Sequence, residues 1–301
     1  MAERINVLKT YKIFIGGKFP RTESGRFYQL NHRSKAIANV CLSSRKDLRN
    51  AVVAARGAFE KWSGATAYNR SQILYRMAEM MEGRKDQFIS ELVLQGVDRK
   101  KATLEVDLSI DRVIYFAGWA DKINQVFGSV NPVATSHFNF SMMEPMGVIG
   151  LVAPEKSGLL GLVSSLCPIL VSGNCAVVLA SEKLPLCSIT LAEVLATSDV
   201  PAGVVNILTG KKEEITVHLA KHMDVNAIYL TDNLGHKKLV QEEAVQNLKR
   251  VIVGKQESWD DSSVEILISL RILWKLKQRG IPLKSYRDLG QDIKHGNNGR
   301  K

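Results

Sequence analysis

Cysteine is scarce in this chain and stands in no useful spacing. The four copies are Cys41, Cys167, Cys175 and Cys187. No C-x-x-C pair occurs, which excludes a zinc ribbon or a dithiol redox centre, so buried free thiols in a reducing compartment are expected. Aromatic residues make up only 7 % of the chain and do not interleave with basic ones. The net charge of +11 therefore forms no nucleic-acid stripe, and no helix-turn-helix or RNA-binding signature accompanies it. Much of the basic surplus gathers in residues 271–301. Long hydrophobic runs are also missing. The longest, residues 147–152 and 159–171, is broken by Pro154, Glu155 and Lys156, which rules against a transmembrane helix. The opening Met1-Ala2-Glu3-Arg4 runs into polar sequence rather than a signal peptide. A soluble, cytoplasmic protein without specific nucleic-acid or membrane partners is the expectation. Of the six histidines, only His218 and His222 lie one helical turn apart. Neither an intervening acidic residue nor a third ligand accompanies them, so no metal is expected.

What is present is a globular pattern. The chain has 301 residues, 45 % of them hydrophobic, enough for one or two domains with a core. Residues 12–20, KIFIGGKFP, read as an edge hairpin about a Gly-Gly turn. Residues 46–62 carry Leu48, Val52, Ala55 and Phe59 at helical spacing. Residues 67–95 read as one long amphipathic helix or a pair, and 106–126 as another. Residues 129–146 read as an exposed two-stranded arm. Short apolar strands then alternate with helices: strands at 148–152, 175–179, 204–207, 227–230 and 251–253, helices at 159–171, 189–196, 213–222 and 237–245. Such strands, apolar on both faces, predict a doubly wound α/β fold with a parallel sheet. Residues 1–253 are read as that domain and 254–301 as a C-terminal strand with a basic, partly disordered tail. Residues 264–273 are the candidate strand.

Several stretches carry a family resemblance: FIGGKF at 14, VVAARGAFEKW at 52, YFAGWADKI at 115, MEPMGVIGLVAP at 143, LVSGNCAVV at 170, VPAGVVNILTG at 200 and NLKRV at 247. In order and spacing they resemble the first half of the NAD-dependent aldehyde dehydrogenases, over about four-fifths of the chain. The degenerate pattern is most similar to the truncated second module of aldehyde dehydrogenase family 16. The resemblance implies a Rossmann-like, NAD-binding-type domain with an oligomerisation arm, and no catalytic domain after it.

Position by position, the resemblance also implies losses. Lys156 stands where the family's oxyanion-stabilising Asn belongs; beside Glu155 it reads as ion-paired or solvated. Leu179 stands in place of a ribose-binding Lys, while Glu182 keeps the family's Glu. Of the glycine-rich turn only Gly210 remains, in Gly210-Lys211-Lys212-Glu213. At the next helix start stand Thr231-Asp232-Asn233, where Asp232 would compete with phosphate for backbone amides or simply cap a helix. Gly254 takes the place of the general base, and glycine accepts no proton. None of the cysteines matches the nucleophile. A Ser157–Lys156 nucleophile has no third group to support it. The sequence thus predicts no catalytic residues, degenerate cofactor contacts at Glu182, Gly210 and Thr231, and no cofactor beyond weak residual NAD. It predicts an assembly or protein-interaction module, a homodimer through residues 129–146. The alternative is an NAD(P)-dependent aldehyde dehydrogenase, or a module of a longer chain with that activity. Phe138, Phe140 and Met142 alternate with polar neighbours, giving the arm one apolar face for a partner or for its own sheet.

Overall fold

A computed structural model describes residues 7–231, 235, 237–254, 258–260 and 274–282. Its centre is a five-stranded parallel sheet in the order β10(Arg250–Val253), β9(Ala227–Leu230), β6(Val148–Val152), β7(Cys175–Leu179), β8(Val205–Leu208). Every residue of β6, β7, β8 and β9 is buried, as strands covered on both faces must be. The doubly wound α/β expectation therefore holds.

Two helices cover one face. α1(Arg45–Gly64) begins at a capping box, with Ser44 and Asp47 each bonding the other's backbone, and buries Leu48, Ala51, Val52 and Ala55. α8(Lys212–Lys221) lies beside it, so close to the sheet that a Cβ on Gly150 would stand 2.8 Å from Leu219. The other face is covered by α6(Leu160–Val171), buried along its whole length, and α7(Leu186–Thr197). Outside these lie α2(Ala67–Glu82), α3(Lys85–Leu94) and α4(Arg99–Trp119), and α5(Ile123–Phe127) follows. Each fully buried Leu, Val or Phe contributes about 1.5–3 kcal/mol by leaving water. The sequence 67–95 thus forms a pair of helices, broken at Gly83. The helix expected at 106–126 starts earlier, where Asp98 accepts from the amides of Lys100 and Lys101. α9(Lys237–Val245) precedes β10.

A small sheet of β1(Thr10–Tyr11), β3(Lys35–Cys41) and β2(Phe27–His32) flanks the domain; its β2–β3 hairpin is additional to the sequence reading. The expected hairpin at 12–20 is reduced to a paired turn, Ile15 with Lys18 about Gly16 and Gly17 at φ +59° and +77°. The arm is β4(Ser129–Asn131) and β5(His137–Pro145), joined by β11(Trp274–Pro282) in the order β11-β5-β4. The strand expected at 264–273 lies outside the described residues, and the paired segment begins at Trp274. Lys277 and Arg279, read as tail, are in that strand and reach Glu144 at 2.9 and 3.8 Å.

Candidate functional site

In open parallel sheets ligands enter the crevice beyond the carboxyl ends of the strands. At those strand ends stands an internal ion pair. The loop after β6 carries Glu155, the loop after β7 carries Ser181, Glu182 and Lys183, and α8 opens at Lys212. The Lys212 side chain is 3 % exposed. Its ammonium donates to the Ala153 carbonyl at the end of β6 and pairs with Glu155. Glu155 in turn accepts from Ser181 Oγ at 2.8 Å, from Glu182 N–H at 3.1 Å and from Lys183 N–H at 3.1 Å. Burial alone would raise the Glu155 pKa; Lys212 and these donors outweigh it and hold the carboxyl below its ordinary value. Glu155 therefore pairs with Lys212, and the exposed Lys156 is left to solvent, not paired with its neighbour as one of its readings had it.

The three residues expected to touch a cofactor all surround this pair, and each is engaged internally. Glu182 Oε1 accepts from the first amide of α8, that of Lys212. Gly210 has φ +150°, and a Cβ there would stand 3.1 Å from Ser43 N. Thr231 is fully buried and donates its hydroxyl to the Val152 carbonyl at 2.9 Å. Asp232 lies outside the described residues. Leu179 is buried at the end of β7 and offers no donor.

The start of α6 is equally occupied. Glu105, from α4, accepts from Ser157 Oγ at 2.7 Å and from the amides of Leu159 and Leu160 at 2.8 and 3.2 Å. Ser157 Oγ accepts from Gly161 N–H at 2.8 Å. Ser157 thus holds an amide in the first turn of α6, whose N-cap position is Leu159. Beside it opens a cavity of about 430 Å³ bounded by Leu104, Lys156, Leu160 and Trp259. Glu105 and Lys212 escaped the sequence reading because each acts more than 50 residues away along the chain, and no local pattern marks such a partner.

Gly254 follows β10 and donates its amide to the Leu230 carbonyl at 2.7 Å. A Cβ built on it would stand 2.5 Å from the Thr231 carbonyl oxygen. The position is glycine for a steric reason, and no proton acceptor fits there without moving backbone. The four cysteines are all free and buried. Burial pushes the Cys167 and Cys175 thiols up to about 12 and Cys187 well up, so none of these three is a ready thiolate. Among the described residues no group of three His, Cys, Asp or Glu could hold a metal, and no helix is long and apolar enough to cross a membrane.

Comparison with known proteins agrees with this geometry. A family model described as the aldehyde dehydrogenase family matches residues 22–255. The cytosolic 10-formyltetrahydrofolate dehydrogenase of Mus musculus is 31 % identical over 257 residues, 83 % of this chain and 28 % of its own length. Omega-crystallin of Enteroctopus dofleini is 32 % identical over 251 residues, 81 % of this chain and 50 % of its own. A solved NAD+ complex of aldehyde dehydrogenase from Bacillus cereus superposes with a TM-score of 0.77 at 25 % identity, covering 81 % of this chain and 50 % of that one. The chain thus spans half or less of the length of these relatives. The NAD+ complex corrects the expectation that no cofactor goes with this fold half. That expectation counted replaced side chains alone, whereas a phosphate is also received by backbone amides at a helix start.

Proposed function

This chain belongs to the aldehyde dehydrogenase family, and from that premise we propose that it is a module of the fold that assembles with partners rather than oxidising aldehydes itself. The observation that carries the proposal is Gly254, where a general base would need a side chain and the Thr231 carbonyl leaves no room for one. The buried thiols support it, and the same thiols accord with a reducing, cytoplasmic setting. The test is an NADH absorbance assay on the 301-residue chain with short and long aldehydes. A flat trace is the expected result. Turnover that a thiol reagent abolishes would overturn the proposal.

NAD is the nucleotide proposed for the crevice, received by Glu182, Gly210 and Thr231. Its grip is weakened because Leu179 donates nothing and Glu182 already accepts from the Lys212 amide. Each missing charged contact costs about 1.5–3 kcal/mol, so two raise a dissociation constant roughly a hundredfold or more. Calorimetric titration with NAD should therefore give weak saturable binding. A dissociation constant in the low micromolar range would show that these positions do not set the affinity. A second reading, a module of a longer chain with NAD(P)-dependent aldehyde dehydrogenase activity, is favoured by the span of half or less of the relatives' length.

The proposed assembly surface is the arm. Strand register puts Val130, Phe138, Phe140, Met142 and Ile281 on one side, together with Lys277 and Arg279 opposite Met142 and Phe140, while Asn131, Asn139, Ser141 and Gln278 form a hydrogen-bonded amide face on the other. The Phe138 and Phe140 rings lie 5.6 Å apart, and Val130 and Ile281 are 68 % and 51 % exposed. Apolar side chains grouped in this way on an exposed sheet face, with its two cations held by Glu144, favour pairing across a two-fold axis. Light scattering should find a dimer, and Phe138→Asp with Phe140→Asp a monomer. A wild type already monomeric at tens of micromolar would remove the arm as the interface.

A further inference from the structure

On the sheet face away from α6, the first turns of α1 and the last turn of α8 enclose a cavity of about 300 Å³. Its floor is the buried Leu48, and its other walls are Arg45, Arg49, His218, Lys221 and His222. Every polar group lining it is basic or an imidazole. Lys221 has a carboxylate partner, Glu243 at 3.1 Å, but no ion pair is formed by Arg45 or Arg49 among the described residues.

This crowding has no structural reason. The amino end of a helix carries positive potential, so two arginines in the opening turns of α1 are placed against the dipole. Cations suit the carboxyl end of α8, but that need is already met: the buried Lys249 ammonium donates to the His222 carbonyl at 2.7 Å and to Leu219 at 3.4 Å. A local rule broken without compensation marks a functional place. A cation does not suit the site, since Arg45 and Arg49 repel it.

We infer that this cavity binds a compact multivalent oxyanion, inorganic phosphate or a small phosphomonoester, through the Arg45 and Arg49 guanidinium groups with the two imidazoles beside them. Guanidinium forks match the tetrahedral oxyanion with paired N–H donors, and the volume admits one phosphate group with a short organic stub. The cavity lining shares no residue with Glu182, Gly210 or Thr231, so its variants test it separately from the NAD proposal.

The histidines make binding pH-dependent. Burial first, then Arg45 and Lys221, hold His218 below the ordinary imidazole value. Burial holds His222 down as well; Asp224 opposes it, and Lys249, Arg49 and Arg56 add to it. Glu243 faces Lys221, and Asp224 reaches Arg56 at 3.9 Å. His222 Nδ1 accepts from the Asp224 amide at 3.2 Å, which fixes the neutral tautomer. Both rings are thus neutral at pH 7 and gain charge on acidification, which strengthens anion binding.

Calorimetry on the full 301-residue chain at fixed ionic strength tests this, with sulfate, inorganic phosphate and glycerol 3-phosphate as probes. Sulfate keeps its charge across the range, so its pH dependence reports the protein. Saturable binding with one site is expected, tighter at pH 5.5 than at pH 8. Arg45→Gln with Arg49→Gln should weaken it at least about tenfold, since both charged donors are lost. Both arginines are exposed, so the fold survives, and circular dichroism checks it. His218→Gln with His222→Gln should flatten the sulfate pH dependence. Equal affinity for phosphate and glycerol 3-phosphate assigns the free oxyanion, and a preference for the ester assigns the monoester. Absence of saturable binding by all three probes, or binding unchanged in the double arginine variant, overturns the inference.

Discussion

Glu155→Ala is expected to destabilise the protein by about 3 kcal/mol, and Lys212→Met to change stability by no more than about 1 kcal/mol in either direction. Both substitutions break the same ion pair. The difference lies in what each leaves behind. Without Glu155, the Lys212 ammonium stays 3 % exposed with a single carbonyl acceptor, Ala153, and an uncompensated charge. The hydroxyl of Ser181 and the amides of Glu182 and Lys183 lose their acceptor too. Without Lys212, Glu155 still accepts from those donors and keeps 23 % exposure to water, while methionine fills the buried stem's volume. Urea denaturation of the two single variants and the double gives the coupling directly. Similar costs for both would mean that the pair, not the stranded charge, sets the energetics. The pH dependence has a definite sign. Glu155 is held below its ordinary 4.5, so its contribution is present above that value and is lost as pH falls through the lower, folded one. Glu155→Ala should lack this segment of the acid-unfolding curve.

Gly254→Glu is expected to restore no aldehyde oxidation and to destabilise by about 2 kcal/mol, within the usual cost of overpacking. The colliding atom is a backbone carbonyl, on Thr231, whose own amide and hydroxyl are tied to Val152 of β6. It cannot move without dragging β9 from β6. Gly254→Ala should already show most of the loss, because the clash begins at Cβ. The readouts are the urea midpoint and the NADH assay run side by side. A Gly254→Glu protein as stable as wild type would show that the position has room for a base, and would remove the observation on which the non-catalytic reading rests.

The sheet was legible because its strands are short, mostly apolar runs of four or five residues between helices. β6, β7 and β9 fall at their expected bounds, and the others within a residue or so. The arm was legible because period-two alternation from His137 survives in β5. The β2–β3 hairpin was less so: FYQLNH and KAIANVC mix polar and apolar residues, and their burial alternates only in part. β11 was misjudged for a related reason, since its Lys and Arg residues look like tail until Glu144 and β5 are placed opposite them. At the site, the identities of Leu179, Gly210 and Gly254 could be read from the chain, but their consequences could not. That Lys212 turns inward onto Ala153 and Glu155 depends on three strand ends meeting, which is a property of the assembled sheet.

The interior placement of the four thiols gives the protein reporters of its own opening. Cys41 lies on β3 in the flanking sheet, Cys175 on β7 at the centre, and Cys167 and Cys187 on the two helices that cover one face. Each is sealed in the native state, so a maleimide can reach it only when its layer parts from the rest. The order in which mass spectrometry finds the four modified is then a map of which layer separates first, read from the natural sequence without an introduced label.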